Sequence, residues 1–206
     1  MRKQASHFIR YQVAREAATL LYTQQEKEYK QAKLRAADTL GARSLPSNKD
    51  IALEMDKMAD EMEGSERAER LTQMRKDALW IMVILGDFHP RLVGSVWRGT
   101  AHKNSDIDIE TFTSDPNTVL ERLTRNGLIV RTAQWQMVSK GLELERAFHV
   151  YLTLPSKNEV ELIARSPEKK DETDKCEIYG DMVKGLSIHQ LRRIILTDPL
   201  QKFVPA

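Results

Sequence analysis

Apolar residues recur at three- and four-residue steps over roughly the first 85 positions and then begin to alternate, so a helical part precedes a mixed part. Phe8, Ile9, Val13, Ala17, Leu20 and Leu21 form one helical stripe. Tyr29 to Leu40, rich in Ala, Lys and Gln, predicts a second helix that stops at Gly41, a residue suited to a helix C-terminus. Leu45-Pro46 breaks the chain, and Ser47 with Asp50 resembles a capping box. Behind it Ile51, Met55, Met58 and Met62 share a face. Flexible thioethers suit irregular helix packing, so these methionines read as core filler. After Gly64-Ser65 a longer helix carries Leu71, Met74, Ala78, Ile81, Met82 and Leu85 in line.

Beyond Gly86 the period changes. Arg91-Leu92-Val93 predicts a short strand that runs into Gly94. Asp106 to Phe112 alternates, with Ile107 and Ile109 on one face and Asp106, Asp108 and Glu110 on the other. Asp115-Pro116 opens a short helix through Val119, Leu120 and Leu123, ended by Asn126-Gly127, and Leu128 to Val138 reads as a strand. Phe148, Val150, Leu152 and Leu154 alternate with His149, Tyr151 and Thr153. A turn from Pro155 to Asn158 joins this strand to Glu159-Val160-Glu161-Leu162-Ile163 as a hairpin. A charged stretch follows Pro167, and a last helix covers Ile188 to Leu196. The expected architecture is α+β, with an N-terminal helical region over 1–84, a core over 85–166 and a C-terminal helical tail over 167–206.

Composition narrows the setting. A chain of 206 residues can bury a core without covalent staples. With 41% hydrophobic and 30% charged residues it reads as an ordinary soluble protein. The single Cys176 excludes an internal disulfide and a cysteine-rich zinc site. No apolar run reaches the roughly 20 residues of a membrane span, so a cytoplasmic location is expected. The net charge of +2 says little, but its distribution is uneven. Basic residues such as Arg10, Arg15, Lys30 and Arg35 dominate up to Arg43, and acids dominate from Asp50 to Glu69. Such a segment can attract a polyanion, or the two segments can be helices with complementary solvated faces.

The chemistry concentrates in Gly94-Ser95-Val96-Trp97-Arg98-Gly99-Thr100 and in Ser105-Asp106-Ile107-Asp108-Ile109. A strand that runs into Gly-Ser and then into a helical turn offers backbone N–H groups and a hydroxyl to an anion. Arg98 lies one turn further on. Asp106 and Asp108 sit on one strand face, about 7 Å apart along the chain. Carboxylates that close repel unless a cation sits between them, and hard oxygen ligands suit Mg²⁺. A phosphate cradle beside a carboxylate pair implies metal-assisted phosphoryl or nucleotidyl transfer. Trp97 fits packing under the loop; His102, Lys103 and Asn104 on the connecting loop are equally compatible with phosphate contact and with solvation. His149 and His189 show no ligand spacing, and Cys176 has no evident chemical partner.

This combined motif resembles the signature of the DNA polymerase beta-like nucleotidyltransferase superfamily. It is most similar to the catalytic heads of archaeal CCA-adding enzymes and to minimal nucleotidyltransferases, over about Pro90 to Pro167. The resemblance implies a small mixed sheet with helices packed against it. It also implies a third carboxylate on a later strand, for which Glu161 is the candidate and Glu159 the competitor on the same face. Glu stands where the family usually has Asp. Ser95 and Arg98, with Gly94, would contact the triphosphate. Asp106, Asp108 and Glu161 would hold two Mg²⁺ ions, and Glu161 would accept the proton of the attacking hydroxyl. Glu110, one pleat further along, falls outside the set.

The function expected on these grounds is transfer of a nucleoside monophosphate, AMP from ATP, to an acceptor hydroxyl, with an RNA 3′ end favoured. Protein AMPylation by a minimal, antitoxin-like nucleotidyltransferase is one alternative. A non-catalytic nucleotide- or RNA-binding module is the other. The N-terminal helices are a candidate surface for a partner or for a homo-oligomer.

Overall fold

The computed structural model describes residues 2–140 and 143–205, with side chains from residue 7 onward except at 138–140 and 143–144. Among the described residues the helices are α1 (Arg2–Tyr22), α2 (Tyr29–Thr39), α3 (Asn48–Glu63), α4 (Ser65–Ile84), α5 (Gly94–Arg98), α6 (Asn117–Arg125) and α7 (Ile188–Thr197). The strands are β1 (Arg91–Val93), β2 (Ile107–Phe112), β3 (Val130–Lys140), β4 (Glu143–Thr153) and β5 (Glu159–Arg165). No described helix is long and apolar enough to cross a membrane. Two compact units emerge, Met1–Arg67 with Cys176–Asp181, and Ala68–Lys175 with Met182–Ala206.

In the first unit, α1, α2 and α3 bury Val13, Ala17, Ala18, Ala32, Ala36, Ile51 and Ala59 in one cluster. Small residues dominate it, which lets the helix backbones approach closely. Ser47 and Asp50 form the expected capping box, each side chain accepting from the other's backbone N–H. The stripes are shorter than their periodicity suggests: Phe8 is 59% and Met62 70% exposed. Charges on α1 meet those on α3, through Arg10–Asp50 at 3.3 Å and Arg15–Glu61 at 3.0 Å. The basic and acidic segments therefore behave as complementary helix faces. Being solvent-exposed, such pairs contribute on the order of 0–1 kcal/mol each.

The division falls inside α4. Its stripe of Leu71, Met74, Ala78, Ile81, Met82 and Leu85 is buried in the core of the second unit, although its periodicity alone places it with the N-terminal helices. That core is built on a five-stranded mixed sheet of order β1-β2-β5-β4-β3, in which β2 and β5 run parallel and the other neighbours antiparallel. Strand alternation sorts the two faces. Ile107, Ile109, Phe148, Val150, Leu152, Val160 and Leu162 point to the side packed by α4, α6 and α7. The opposite face carries Asp108, Glu110, Glu161, His149 and Tyr151. There Glu110 is engaged by Arg165 at 2.9 Å and by Arg91 at 3.1 Å, one pleat away from Asp108.

The C-terminal stretch is more than a tail. Leu186 exchanges two backbone hydrogen bonds with Leu92 beside β1, and Leu191 and Ile194 of α7 enter the core. Past α7, Pro199 and Gln201 offer backbone carbonyls to Arg75 of α4, at 2.7 and 2.9 Å. The same guanidinium donates to Val96 O and Trp97 O, at 3.2 and 3.0 Å. Those two carbonyls belong to the end of α5, where no intrahelical donor remains. Arg75 is completely buried, and burial pushes its pKa down to about 10, so the group is still charged at neutral pH.

Candidate active site

The site begins where β1 ends. Val93 is the register partner of Asp108, so the chain leaving β1 turns directly beside that carboxylate. Gly94 makes the turn at φ +68° and starts α5. A Cβ on Gly94 would lie 1.9 Å from Asp108 Oδ2. The absence of a side chain at Gly94 is thus demanded twice, by the left-handed backbone and by the neighbouring carboxylate. Gly94→Ala is expected to cost about 1–3 kcal/mol of stability and most of the activity, because the carboxylate must be displaced. Gly127, at φ +75° with open space around its Cβ position, is the control for backbone strain alone. Urea melts and turnover of the two variants check this; equal losses in both would remove the steric argument.

On the other side of Asp108 stands β5. The parallel register pairs Asp108 with Glu161, and Asp106 lies just ahead of β2. One carboxylate oxygen from each of Asp106, Asp108 and Glu161 lies within 4.8 Å of the others. Burial, then Asp106 and Glu161, push the Asp108 carboxyl well above the usual carboxylate range. Burial, followed by Glu161 and Glu159, raises Asp106 as well. Among the described residues no basic side chain is paired with either aspartate. Three oxygens converging from two strands and the loop ahead of β2, with their repulsion uncompensated by protein charge, suit a hard divalent cation.

The structure thus brings together Asp106, Asp108 and Glu161, with Gly94 against Asp108 and Ser95 next in the chain. Glu159 is drawn elsewhere, by Thr153 at 2.8 Å and Arg131 at 2.6 Å. Arg98 is engaged with Trp97 and Phe203. It is 4% exposed, covers the Trp97 ring at 4.4 Å and donates to Phe203 O at 2.9 Å. Trp97 is buried under the turn and stacks with Phe203 at 6.4 Å. On the connecting loop, the backbone N–H of His102 donates to Ser105 Oγ and that of Asn104 to His102 Nδ1, so His102 shapes the loop locally.

Two residues that sequence patterning leaves without a role come to the centre. His149 Nδ1 lies 2.6 Å and Tyr151 OH 2.7 Å from Glu161 Oε1. Gln136 Nε2 donates to Tyr151 OH at 2.9 Å. Burial, and the hydrogen bond to Glu161, push the Tyr151 phenol above its ordinary value, so it stays protonated and donates. A signal for this existed. Counting register back from the Pro155–Asn158 turn pairs Thr153 with Glu159, hence Tyr151 with Glu161. The hairpin is held at its tip by Asp77 of α4, which accepts from Ser156 Oγ and Asn158 Nδ2, both at 2.7 Å.

Part of the chain matches a known protein family. Residues 87–177 match the family described as the nucleotidyltransferase domain. Among solved structures, a cytoplasmic RNA terminal U-transferase is 18% identical, at a TM-score of 0.33, over 57% of this chain and 34% of that one. The non-canonical poly(A) polymerase complex GLD-2–GLD-3 is 14% identical, at 0.34, over 58% and 40%. The GLD-2/RNP-8 complex is 12% identical, at 0.35, over 59% and 44%. The match thus spans less than half the length of each of those chains. No curated protein sequence matches the chain. The segment holding the three carboxylates and the Gly94-Ser95 turn lies wholly within this match and is a nucleotidyltransferase domain.

Proposed function

We propose that the domain transfers AMP from ATP to an acceptor hydroxyl, with two Mg²⁺ ions held by Asp106, Asp108 and Glu161, and that the acceptor is an RNA 3′ end. The convergence of those carboxylate oxygens within 4.8 Å carries this reading. Divalent cations bound there supply charge neutralisation on the triphosphate and a lowered pKa for the attacking hydroxyl. The chain's own residues do the rest. The backbone N–H groups of Gly94 and Ser95 and the Ser95 hydroxyl bind triphosphate oxygens. Arg98, behind them in α5, adds positive charge and fixes the end of that helix. Glu161 accepts the acceptor's proton as the new O–P bond forms at the α-phosphorus and pyrophosphate leaves.

For the acceptor, support comes from a cleft of about 380 Å³ on the catalytic unit, whose lining includes His89, Lys170, Lys184 and His189 against one acid, Asp171. Such a lining suits a phosphate backbone. One observation favours a protein hydroxyl instead: Arg10 and Arg15 are already paired with acids of α3, which weakens the helical region as a polyanion surface. The test offers ATP labelled at the α-phosphate, with Mg²⁺, to total RNA and total protein of the host. Label in RNA supports the first acceptor, and label in protein the second. Binding of ATP with label in neither fraction would overturn both.

A further inference from the structure

We infer that His149 and Tyr151 are positioning residues that clamp one oxygen of Glu161 so that the other is presented to the metal; this rests on the metal-centred reading above. Both groups converge on Oε1, at 2.6 and 2.7 Å, so two donors saturate the same atom. They arrive from one strand at positions 149 and 151. Tyr151 is the direct register partner of Glu161, and His149 sits diagonally opposite. A glutamate has one more rotatable bond than an aspartate, so placing its carboxylate needs more restraint. Two donors on a single oxygen fix both the reach and the rotation of that carboxylate.

The histidine carries a second mark of this role. With Glu161 Oε1 as the acceptor, Nδ1 is the ring nitrogen that donates. The other ring nitrogen, Nε2, is buried and has no hydrogen-bond partner among the described residues. The residue as a whole is 6% exposed. A buried polar atom without a partner destabilises the fold, by about 1–3 kcal/mol. An apolar side chain would avoid that loss, so stability does not account for a histidine here, whereas the bond to Glu161 does. Tyr151 is in turn aligned by Gln136, whose Nε2 donates to its hydroxyl at 2.9 Å and directs the phenolic hydrogen toward Glu161. The clamp thus extends over three strands, β3, β4 and β5.

The readout is binding of Mn²⁺ alone to the full chain, followed by the electron paramagnetic resonance signal of the free ion. Tyr151→Phe removes one donor and keeps the ring. His149→Leu removes the other, and His149→Asn returns an amide N–H near the place of Nδ1 in almost the same shape as leucine. The combined Tyr151→Phe, His149→Leu chain is expected to bind Mn²⁺ about 10–100-fold more weakly. His149→Asn is expected to recover most of the loss caused by His149→Leu. A purely structural role would make leucine and asparagine differ in melting temperature without separating them in Mn²⁺ affinity. Asp108→Asn is the companion. If Asp108→Asn abolishes binding while the double variant stays within about twofold of wild type, the clamp is refuted and the metal centre stands. If Asp108→Asn binds as wild type does, or wild type binds no Mn²⁺, the metal centre fails and the clamp fails with it.

Discussion

Asparagine in place of Asp108 is expected to lower nucleotidyl transfer by about 10³-fold while leaving the fold intact. Asp108 lies between the Val93–Gly94 turn and Glu161, so it joins the two halves of the site. A cation clamp contributes several kcal/mol to a phosphoryl-type transition state. About 4 kcal/mol lost corresponds to roughly three powers of ten. The same substitution should raise stability in metal-free buffer. An acid whose folded pKa is raised binds its proton more tightly in the folded state, so the contribution is favourable at low pH. It is lost as pH rises from the ordinary carboxylate range, near 4, through the raised value. Asparagine cannot ionise and escapes that loss. The checks are turnover with saturating Mg²⁺ and urea melts in chelator at pH 5 and pH 8. More than a tenth of wild-type turnover in the variant would sink the assignment.

Arg75→Met is expected to be the most damaging single change away from the carboxylates, lowering unfolding free energy by about 3 kcal/mol or more. Four backbone carbonyls, of Val96, Trp97, Pro199 and Gln201, lose their donor at once. Hydrogen bonds to a charged group contribute about 1.5–3 kcal/mol each, and buried acceptors left without a partner add a penalty. Relief of the cost of burying a charge offsets part of this. Arg75→Lys should recover less than half, since one ammonium cannot reproduce a planar fork aimed at four acceptors. Activity should fall too, because the end of α5, the helix that opens with Gly94 and Ser95, is held by that guanidinium. Urea denaturation decides it; a loss under about 1 kcal/mol, or full rescue by lysine, would show that the carbonyl cage matters little.

Much of the architecture was legible because it is local. A capping box needs only Ser47 and Asp50, a helix stripe only a period, and the hairpin only a turn between alternating runs. Gly94-Ser95 and Asp106-Ile107-Asp108 were legible for the same reason, since each acts through neighbours within a few residues. Burial was less so. Phe8 and Met62 continue their helical stripes yet face solvent, because periodicity says which residues share a face and not how far a partner extends.

Sequence alone therefore determined the alternation of elements, the α+β class and the pair of aspartates at the start of β2 with the glycine turn beside them. Tertiary structure decided three things. The parallel pairing of β2 with β5 set Glu161, and not Glu159, beside Asp108, because only register says which of two like residues meets that carboxylate. Antiparallel pairing of β4 with β5 brought His149 and Tyr151 onto Glu161. The return of the chain after α7 gave Arg75 two of its four acceptors, 124 and 126 residues away. The first and third are contacts between segments far apart in the chain, set by strand register and by closure of the core, and such contacts leave no local pattern. The second lies within one hairpin, whose turn fixes the pairing of Tyr151 with Glu161 but not the convergence of both side chains on one oxygen.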